Sequence, residues 1–232
     1  MNGSEKILAI DIGGSHIKAT VLDIQGNLRM DYKNVITPKP ATPATVLAAI
    51  QQLVQSFPDY DMISVGFPGY IKEGKVITAP NLGTTDWKNV DLAMLISKVL
   101  GKPAKVINDA DMQGYGIIKG KGLEMMVTLG TGFGTALFRN GILLPHLEMA
   151  HHPITKKQTY DLYIGQKSLN EIGDKKWNSR IKKVISILET VFNYDMLYIG
   201  GGNARKITTK LADNIQIVTN KDAVDGGAKL WV

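Results

Sequence analysis

Short apolar runs separated by glycine-rich turns open the chain, a pattern typical of buried β-strands. The strands predicted in the first half are residues 7–11, 17–23, 28–35, 62–65, 75–78 and 104–107. Helical spacing follows Thr42 and Pro43, a favourable cap and first-turn pair, and continues to residue 54. A second helix is predicted over residues 92–100, with Gly101 ending it. The first half should therefore form a sheet covered by helices.

The second half repeats this plan. Strands are predicted over residues 125–129, 135–138, 142–144 and 196–199, and the clearest amphipathic helix covers residues 181–192. Two similar strand–turn–strand units, each followed by helices, predict two α/β lobes related by duplication, with a ligand in the cleft between them. We place the boundary near residues 103–108, which gives an N-terminal lobe of residues 1–105 and a C-terminal lobe of residues 106–232.

Composition and charge exclude several classes of protein. The chain has 232 residues, 44% of them hydrophobic, and no cysteine. It can therefore build a core, but not a disulfide scaffold, a thiolate zinc site or a cysteine nucleophile. No apolar stretch has the length of a membrane span or the form of a signal peptide, so we expect a cytoplasmic protein with no membrane partner. The formal net charge of +6 favours an anionic partner.

Much of this charge lies between residues 156 and 183, which we call the basic segment. It holds eight Lys or Arg residues against three Asp or Glu residues. Such a segment is commonly a solvated face. The other interpretation is a track for a polyanion, because lysines bind phosphates without needing a fixed geometry.

Three glycine-rich turns, at residues 11–15, 128–134 and 200–202, follow predicted strands. Glycine lets consecutive backbone N–H groups converge on phosphate oxygens, although one such turn alone is more often only a tight turn. Two known phosphate motifs do not fit. Thr135 stands where the dinucleotide fingerprint needs its last glycine or alanine, and Val76 stands where a P-loop starting at Gly69 needs serine or threonine.

Polar residues at predicted strand ends are candidates for chemistry. Asp109, just after Asn108, could accept the proton of an attacking hydroxyl, or the two residues could merely cap the helix that starts at Ala110. Asp11 could hold a magnesium ion that bridges phosphates, or it could simply make a turn.

Glu148 and His151 form a further polar pair, three positions apart. Zinc needs more ligands than this pair supplies, so hydrogen bonds to a polyhydroxyl ligand are the better functional interpretation, with a plain polar surface as the alternative. His146 and His16 read as ordinary side chains.

Taken in order, these motifs resemble those of the ROK family of sugar kinases. The segments concerned are 11–18 (DIGGSHIK), 80–82 (PNL) with Trp87, 108–111 (NDAD), 128–134 (TLGTGFG), 148–151 (EMAH) and 200–202 (GGG). They span nearly the whole chain, and the first and fourth are most similar to those of polyphosphate glucokinases and their relatives. The resemblance implies the actin-like, hexokinase-like fold, with two ribonuclease-H-like lobes and a cleft between them. It also implies phosphoryl transfer from ATP or polyphosphate to a hexose hydroxyl, commonly the 6-hydroxyl of glucose.

The resemblance also implies a role for each matching residue. Asp109 would be the catalytic base. The sugar would be bound by Asn81, Asn108, Glu148 and His151. The phosphates and magnesium would face Asp11, Gly13, Gly14, Ser15, Lys18, Thr128, Gly130, Thr131 and Gly132, with Asp11 as the metal ligand, and Gly201 and Gly202 would border the adenosine or its polyphosphate counterpart. Magnesium is the cofactor implied, and neither zinc nor nucleic acid is expected. The last helix would pack back on the N-terminal lobe, and the oligomeric state stays open between monomer and homodimer.

The chain departs from the family pattern at several positions. It lacks the cysteine-rich zinc motif, Ala150 replaces the usual glycine, and Asp111 stands where many members have asparagine. His152 with Pro153 stands where polyphosphate glucokinases carry a further glutamate. These departures leave the identity of the sugar open. Two alternative functions also stay open: a kinase that uses only ATP on another hexose, and a non-catalytic sugar sensor. Family regulators carry an N-terminal DNA-binding module, for which a first strand at residue 7 leaves no room.

Overall fold

The computed structural model describes residues 5–218 and 224–232. The chain divides into two compact units, one of residues 1–116 and 221–232 (unit 1) and one of residues 117–220 (unit 2). This division differs from the boundary expected after residue 105. Strand residues Ala104–Asn108 pair within the sheet of unit 1, so Asp109 belongs to unit 1 and not to the second unit.

Unit 1 is built on a mixed sheet of five strands. In chain order its strands are β1 (Lys6–Ile12), β2 (His16–Asp23), β3 (Lys33–Ile36), β4 (Met62–Phe67) and, after the short hairpin of β5 (Ile71–Lys72) and β6 (Lys75–Val76), β7 (Ala104–Asn108). The spatial order is β3-β2-β1-β4-β7. Because β1, β4 and β7 run parallel, their carboxyl ends lie along one edge of the sheet.

The helices associated with this sheet are α1 (Pro43–Val54), α2 (Thr84–Trp87), α3 (Leu92–Leu100) and α4 (Asp109–Ile117). The start of α1 is as predicted, because the Thr42 hydroxyl accepts the N–H of Thr45 at 3.3 Å and Pro43 lies in the first turn. The end of α3 is as predicted too, at Gly101, whose φ of +72° lies in the left-handed region. Both helices bury apolar side chains in the core against the sheet.

Unit 2 has its own sheet of five strands. They are β8 (Leu123–Leu129), β9 (Phe133–Arg139), β10 (Ile142–Leu143), β11 (Met196–Gly200) and β12 (Ile215–Ile217), in the spatial order β10-β9-β8-β11-β12. Its helices are α5 (Tyr160–Ile164) and α6 (Gln166–Phe192), and the latter is broken at Gly173, with φ of +75°. The helix predicted over residues 181–192 is the last part of α6. Over the described residues, none of the helices is long and apolar enough to cross a membrane.

The two sheets share one topology, which confirms the predicted duplication. In each, three antiparallel strands are followed in space by two strands parallel to the first. Two predicted strands are shorter than expected. In the segment 28–35, Leu28 makes only an isolated bridge, and the segment 75–78 supplies just one arm of the β5–β6 hairpin. Glu73 and Gly74 turn that hairpin with φ of +51° and +79°, so the apparent P-loop is a tight turn.

The C-terminal segment, residues 224–232, packs on the sheet of unit 1. The Ser64 hydroxyl donates to the Gly227 carbonyl at 2.7 Å and accepts the indole N–H of Trp231 at 2.9 Å. A Cβ on Gly226 would lie 1.9 Å from the Met112 carbonyl oxygen, so glycine is required where this segment crosses α4. This is the last helical segment of the chain, the one expected to pack against the N-terminal half.

Candidate active site

The first glycine turn joins β1 to β2 in unit 1. The N–H of Gly13 donates to the His16 carbonyl at 2.9 Å, and the Thr37 hydroxyl donates to the Gly13 carbonyl at 2.6 Å. A Cβ on Gly13 would lie 2.8 Å from the His16 carbonyl oxygen, so the turn requires glycine there. Gly14 and Ser15 form the exposed tip. The turn therefore presents open backbone at the carboxyl end of β1, where a phosphate could bind.

Asp11 and Lys18 lie opposite each other on β1 and β2. Burial raises the pKa of the Asp11 carboxyl, and the charge of Lys18 acts against that rise. A carboxylate disfavoured by burial gains from a bound cation. No group of three or more His, Asp or Glu side chains able to enclose a metal occurs in the part of the chain that the structure describes. Magnesium commonly uses only one or two carboxylates together with substrate phosphates, so Asp11 fits an ion of this kind.

Asn108 and Asp109 lie where β7 ends and α4 begins. Oδ1 of Asn108 accepts the N–H groups of Ala110 at 2.8 Å and of Asp111 at 3.2 Å, and its Nδ2 donates to the Gly69 carbonyl at 3.1 Å. Asn108 is buried and caps the helix, and these contacts leave one amide N–H unused. Asp109 is partly exposed, with Oδ1 accepting the Ala110 N–H at 2.9 Å. The capping alternative therefore holds for Asn108, while Asp109 remains accessible.

One edge of the sheet brings Asp11 and Asp109 into line. Asp11 pairs with Gly66 of β4, and Gly66 pairs with Ile107 of β7. A Cβ on Gly66 would lie 3.4 Å from Cα of Asp109 and 2.6 Å from Cε of Met112, so α4 rests directly on β4. Two strand spacings amount to about 10 Å. This spacing separates Asp11 from Ile107, and Asp109 follows Ile107 by two residues at the same edge of the sheet.

Asn81 is the remaining candidate of unit 1, and it lies beside the first glycine turn. A Cβ on Gly14 would be 3.5 Å from Cβ of Asn81, which is an ordinary contact. Asn81 is exposed. Nearby, the buried Trp87 donates its indole N–H to the Ala41 carbonyl at 2.8 Å and anchors this part of the chain.

The second glycine turn joins β8 to β9 in unit 2. The Thr128 hydroxyl accepts an N–H from the end of the turn at 3.2 Å, and the N–H of Gly130 donates to the Gly132 carbonyl at 3.1 Å. Gln166, the first residue of α6, donates its N–H to the Gly130 carbonyl at 2.9 Å. Thr131 is exposed at the tip, and a Cβ on Gly130 would meet no atom within 4 Å. The turn is thus fixed at its base and open at its tip.

The third glycine turn packs against the second. Asn203 donates its backbone N–H to the Leu129 carbonyl at 3.0 Å. Gly201 has φ of +88°, and a Cβ there would lie 2.2 Å from the Leu129 carbonyl oxygen. A Cβ on Gly202 would meet nothing within 4 Å. Packing therefore requires glycine at residue 201, whereas residue 202 borders open space.

Glu148 and His151 act electrostatically in unit 2 on Asp161, which sequence reasoning did not single out. Burial raises the pKa of Asp161, while a hydrogen bond from the Phe133 N–H and the charge of His151 lower it and the charge of Glu148 raises it. Oδ1 of Asp161 accepts that N–H at 2.6 Å, and a Cβ on Gly132 would be 2.7 Å from the same oxygen. Asp161 therefore contacts the second glycine turn directly and feels the charges of the polar pair. Its signal in the sequence is an isolated acid within the basic segment.

The basic segment covers α5 and the first part of α6. The Arg180 guanidinium donates to the Tyr163 carbonyl at 2.9 Å and to the Ser168 hydroxyl at 2.8 Å, and it lies over the Tyr163 ring. Arg180 is therefore a structural residue. Lys167 lies 4.0 Å from Glu171, and all the lysines of the segment are exposed. This exposure suits both interpretations, a solvated face and a polyanion track.

The predicted site residues thus form two groups, one in each unit. The group of unit 1 lies along the carboxyl edge of its sheet and consists of Asp11, Gly13, Gly14, Ser15, Lys18, Asn81, Asn108 and Asp109. The group of unit 2 lies at the end of β8 and on the loops after β8, β10 and β11, and it consists of Thr128, Gly130, Thr131, Gly132, Glu148, His151, Gly201 and Gly202.

Comparisons with known proteins place the chain in one family. The sequence profile of the ROK family matches residues 7–155. Polyphosphate glucokinase of Mycobacterium tuberculosis is 33% identical over 206 residues, which cover 85% of this chain and 77% of that protein. Glucokinase of Streptomyces coelicolor is 34% identical over 137 residues, which cover 55% of this chain and 41% of that protein.

Solved structures agree with these sequence matches. The inorganic polyphosphate/ATP-glucomannokinase of Arthrobacter sp. strain KM has a TM-score of 0.87 at 28% identity, with 98% of both chains covered. The ROK family glucokinase of Streptomyces griseus, in complex with glucose and AMPPNP, has the same fold, with a TM-score of 0.82 at 18% identity over 97% of this chain and 98% of that one. The actin-like fold expected from the motifs is thereby confirmed. Since the family profile covers more than half of the chain, this protein belongs to the ROK family.

Proposed function

We propose that the protein is a sugar kinase of the glucokinase type, which transfers a phosphoryl group from polyphosphate or ATP to the 6-hydroxyl of a hexose, with glucose as the first candidate. The observation that carries the proposal is the alignment of Asp11 and Asp109 at one sheet edge. Phosphoryl transfer needs one carboxylate for the cation and one for the hydroxyl proton, whereas a sugar sensor needs neither. The 33% identity to a polyphosphate glucokinase supports the same conclusion.

Asp109 is the proposed proton acceptor. Its hydrogen bond from the Ala110 N–H, at 2.9 Å, orients the carboxylate at the start of α4. As the sugar hydroxyl attacks the terminal phosphorus, its proton passes to an oxygen of Asp109, and the bond from that phosphorus to the bridging oxygen breaks, which releases ADP or the shortened polyphosphate. A general base of this kind contributes about 10²–10⁴-fold to the rate.

The glycine turns are the proposed phosphate sites. Phosphoryl transfer spreads negative charge over the terminal phosphate oxygens, and preorganised N–H groups and cations stabilise that charge. The open backbone at Gly14 and Ser15, the side chain of Lys18 and the exposed tip at Thr131 are suited to this task. A magnesium ion bound by Asp11 would neutralise phosphate oxygens in the same way.

Glu148 and His151 are the proposed sugar ligands of unit 2, and Asn81 is that of unit 1. Carboxylate, imidazole and amide groups together accept and donate hydrogen bonds, as a polyhydroxyl ligand requires. Asn108 is left with a single unused N–H, so its main role is to hold the start of α4 and with it Asp109. We further propose that the enzyme is magnesium-dependent and cytoplasmic.

The basic segment and the names of the relatives together support polyphosphate or ATP as the phosphoryl donor. The exposed lysines suit a chain of phosphates, and two of the similar proteins are named for polyphosphate or for polyphosphate and ATP together. If the basic segment binds polyphosphate, its affinity should fall steeply as salt is added, because lysines that bind the phosphates release the counterions held there. Salt dependence therefore separates the track from a solvated face.

A coupled assay that detects glucose 6-phosphate, with magnesium, glucose and either ATP or polyphosphate, tests the proposal. Asp109→Asn should lower kcat at least ~10²-fold with either donor. Asp91→Asn is the matched control, because Asp91 only caps α3 through the N–H of Met94 at 3.0 Å and asparagine caps equally well. An Asp109→Asn protein that keeps most of its activity refutes the assigned base.

The same assay decides between the donors and the alternatives. Turnover that is faster with polyphosphate than with ATP, and that falls steeply as salt is added, supports the basic segment as a track for polyphosphate. Turnover with ATP alone makes the basic segment a solvated face. Hexose binding without turnover, with any donor, identifies a sugar sensor.

A further inference from the structure

Unit 2 buries a histidine beside one of the proposed sugar ligands. Nε2 of His146 lies 3.8 Å from Oε2 of Glu148, and the His146 side chain is only 6% exposed. This distance is too long for a hydrogen bond but close enough for an ion pair. His146 takes no part in the proposed reaction, and the sequence alone favours an ordinary side chain there.

The exposure of Glu148 is divided unevenly over its side chain. The side chain is 28% exposed, yet Oε2 is shielded from solvent and has no hydrogen-bond partner among the residues described. A shielded carboxylate oxygen is unfavourable unless a cation or a donor faces it. His146 is placed to supply that donor.

The other charged groups around Glu148 do not fill this role. His151 is exposed, and Asp161 is an acid whose Oδ1 already accepts the Phe133 N–H. Both act on the electrostatics of the cluster, but neither gives Oε2 of Glu148 a hydrogen bond. The shielded side of the carboxylate is thus the side toward His146.

Backbone contacts hold this pair in place. Leu147 lies between the two residues, and its carbonyl accepts the Thr135 hydroxyl and the N–H of Met149, each at 2.8 Å. Thr135 belongs to β9, so the segment is tied to the sheet of unit 2. The placement of His146 against Glu148 is therefore part of the fold.

We propose that His146 is a positioning residue, which engages Oε2 of Glu148 through its Nε2–H and thereby presents Oε1 to a hydroxyl of the sugar. This inference rests on the proposed function. Contacts of this kind are often long in a free enzyme and shorten in its complexes. A carboxylate that is already oriented loses less conformational freedom when the sugar binds. His146 therefore acts on sugar affinity and not on the chemical step.

Three variants of the full chain test the proposal. His146→Phe keeps the ring and removes the N–H, His146→Gln keeps an N–H near the same place, and Glu148→Gln removes the charge that His146 orients. Glucose affinity is measured by calorimetry without a phosphoryl donor, and KM and kcat are measured in the coupled assay. Circular dichroism and the thermal midpoint verify folding, and His146→Leu replaces the phenylalanine variant if that variant does not fold.

Loss of one contact to a charged group should raise the Kd and KM for glucose roughly tenfold in His146→Phe, with kcat within about twofold of wild type. His146→Gln should stay within about threefold of wild type on both constants. In the Glu148→Gln background, adding His146→Phe should change KM less than about twofold, because the residue acts only through that carboxylate.

Several results would overturn the inference. One is unchanged glucose affinity in His146→Phe. A second is a loss of glucose affinity in His146→Gln as large as that in His146→Phe. A third is an effect of His146→Phe on KM that is as large in the Glu148→Gln background as in wild type. Either of these two results would mean a purely structural role for His146. If wild type phosphorylates glucose but shows one of these patterns, only the inference fails. If wild type neither binds nor phosphorylates a hexose, the proposed function fails with it.

Discussion

Gly201 and Gly202 differ in whether the structure has room for a Cβ atom. Gly201 has φ of +88°, and a Cβ there would lie 2.2 Å from the Leu129 carbonyl oxygen and 2.6 Å from the Leu129 nitrogen. A Cβ on Gly202 would meet no atom within 4 Å, and its φ is not in the left-handed region. The pair Gly201→Ala and Gly202→Ala therefore compares a blocked position with an open one on the same turn.

The expected cost of Gly201→Ala has two parts. The left-handed backbone costs an L-residue roughly 1–2 kcal/mol. Forcing a methyl group against rigid backbone adds about 1–3 kcal/mol. The sum of ~2–5 kcal/mol is a large share of a typical stability of about 5–15 kcal/mol. For a chain of this size it lowers Tm by roughly 5–15 °C, whereas Gly202→Ala should change stability by less than ~1 kcal/mol.

Urea denaturation and thermal melting of both variants measure these differences. Relief of the overlap also has to move the second glycine turn, residues 128–134, because Leu129 is part of it. Gly201→Ala should therefore raise the KM for the phosphoryl donor as well. Equal destabilisation of the two variants, or a Gly201→Ala protein as stable as wild type, would refute the reasoning from the Cβ positions.

Three further predictions concern the ionisable groups of Asp11, which is partly buried, and of Glu124 and Tyr198, which are buried. Burial raises the pKa of Asp11 above 3.8, so its contribution to stability is present below that pH and is lost as the pH rises through the folded-state pKa. Asp11→Asn should thus raise Tm at neutral pH while it lowers kinase activity at least about tenfold. Glu124 accepts the N–H groups of Lys119, Gly120 and Lys121 and the Tyr198 hydroxyl at 2.7–2.9 Å, and Glu124→Gln should cost about 3 kcal/mol in urea denaturation because an amide then faces these donors. Burial and Glu124 raise the pKa of Tyr198 from 10.0 to about 12, so stability should fall as the pH rises from 10 to 12, and Tyr198→Phe should flatten that fall in alkaline unfolding curves.

Each of these predictions has a result that contradicts it. An Asp11→Asn protein that melts below wild type at neutral pH would mean that the carboxylate stabilises the fold. A Glu124→Gln protein with wild-type stability would mean that its hydrogen bonds contribute nothing net. An alkaline unfolding curve of the same slope in wild type and Tyr198→Phe would show that other groups carry the pH dependence.

The sequence by itself determined the repeating framework of this protein. Period-two and period-3.6 patterns, the cap at Thr42 and the stop at Gly101 predict most strands and helices, and the duplication with them. Glycine turns after the strands marked where backbone could meet phosphate. These features are local, because a cap or a turn depends only on neighbouring residues.

Pairings between distant segments were decided by the tertiary structure alone. The parallel pairing of β4 with β7 assigned Asp109 to unit 1, and the same junction showed that Asn108 mainly caps α4. No local pattern indicates that Asp161 meets the turn at Gly132 across nearly thirty positions. Such contacts depend on how whole sheets and loops pack.

The same reason explains the neighbours of Glu148. His146 is two positions away in the sequence, yet only the burial of its side chain and of Oε2 of Glu148 makes their proximity meaningful. Burial is a property of the packed unit, in which a shielded carboxylate oxygen must find a partner. The sequence therefore supplied the candidate chemistry, and packing decided which groups act on one another.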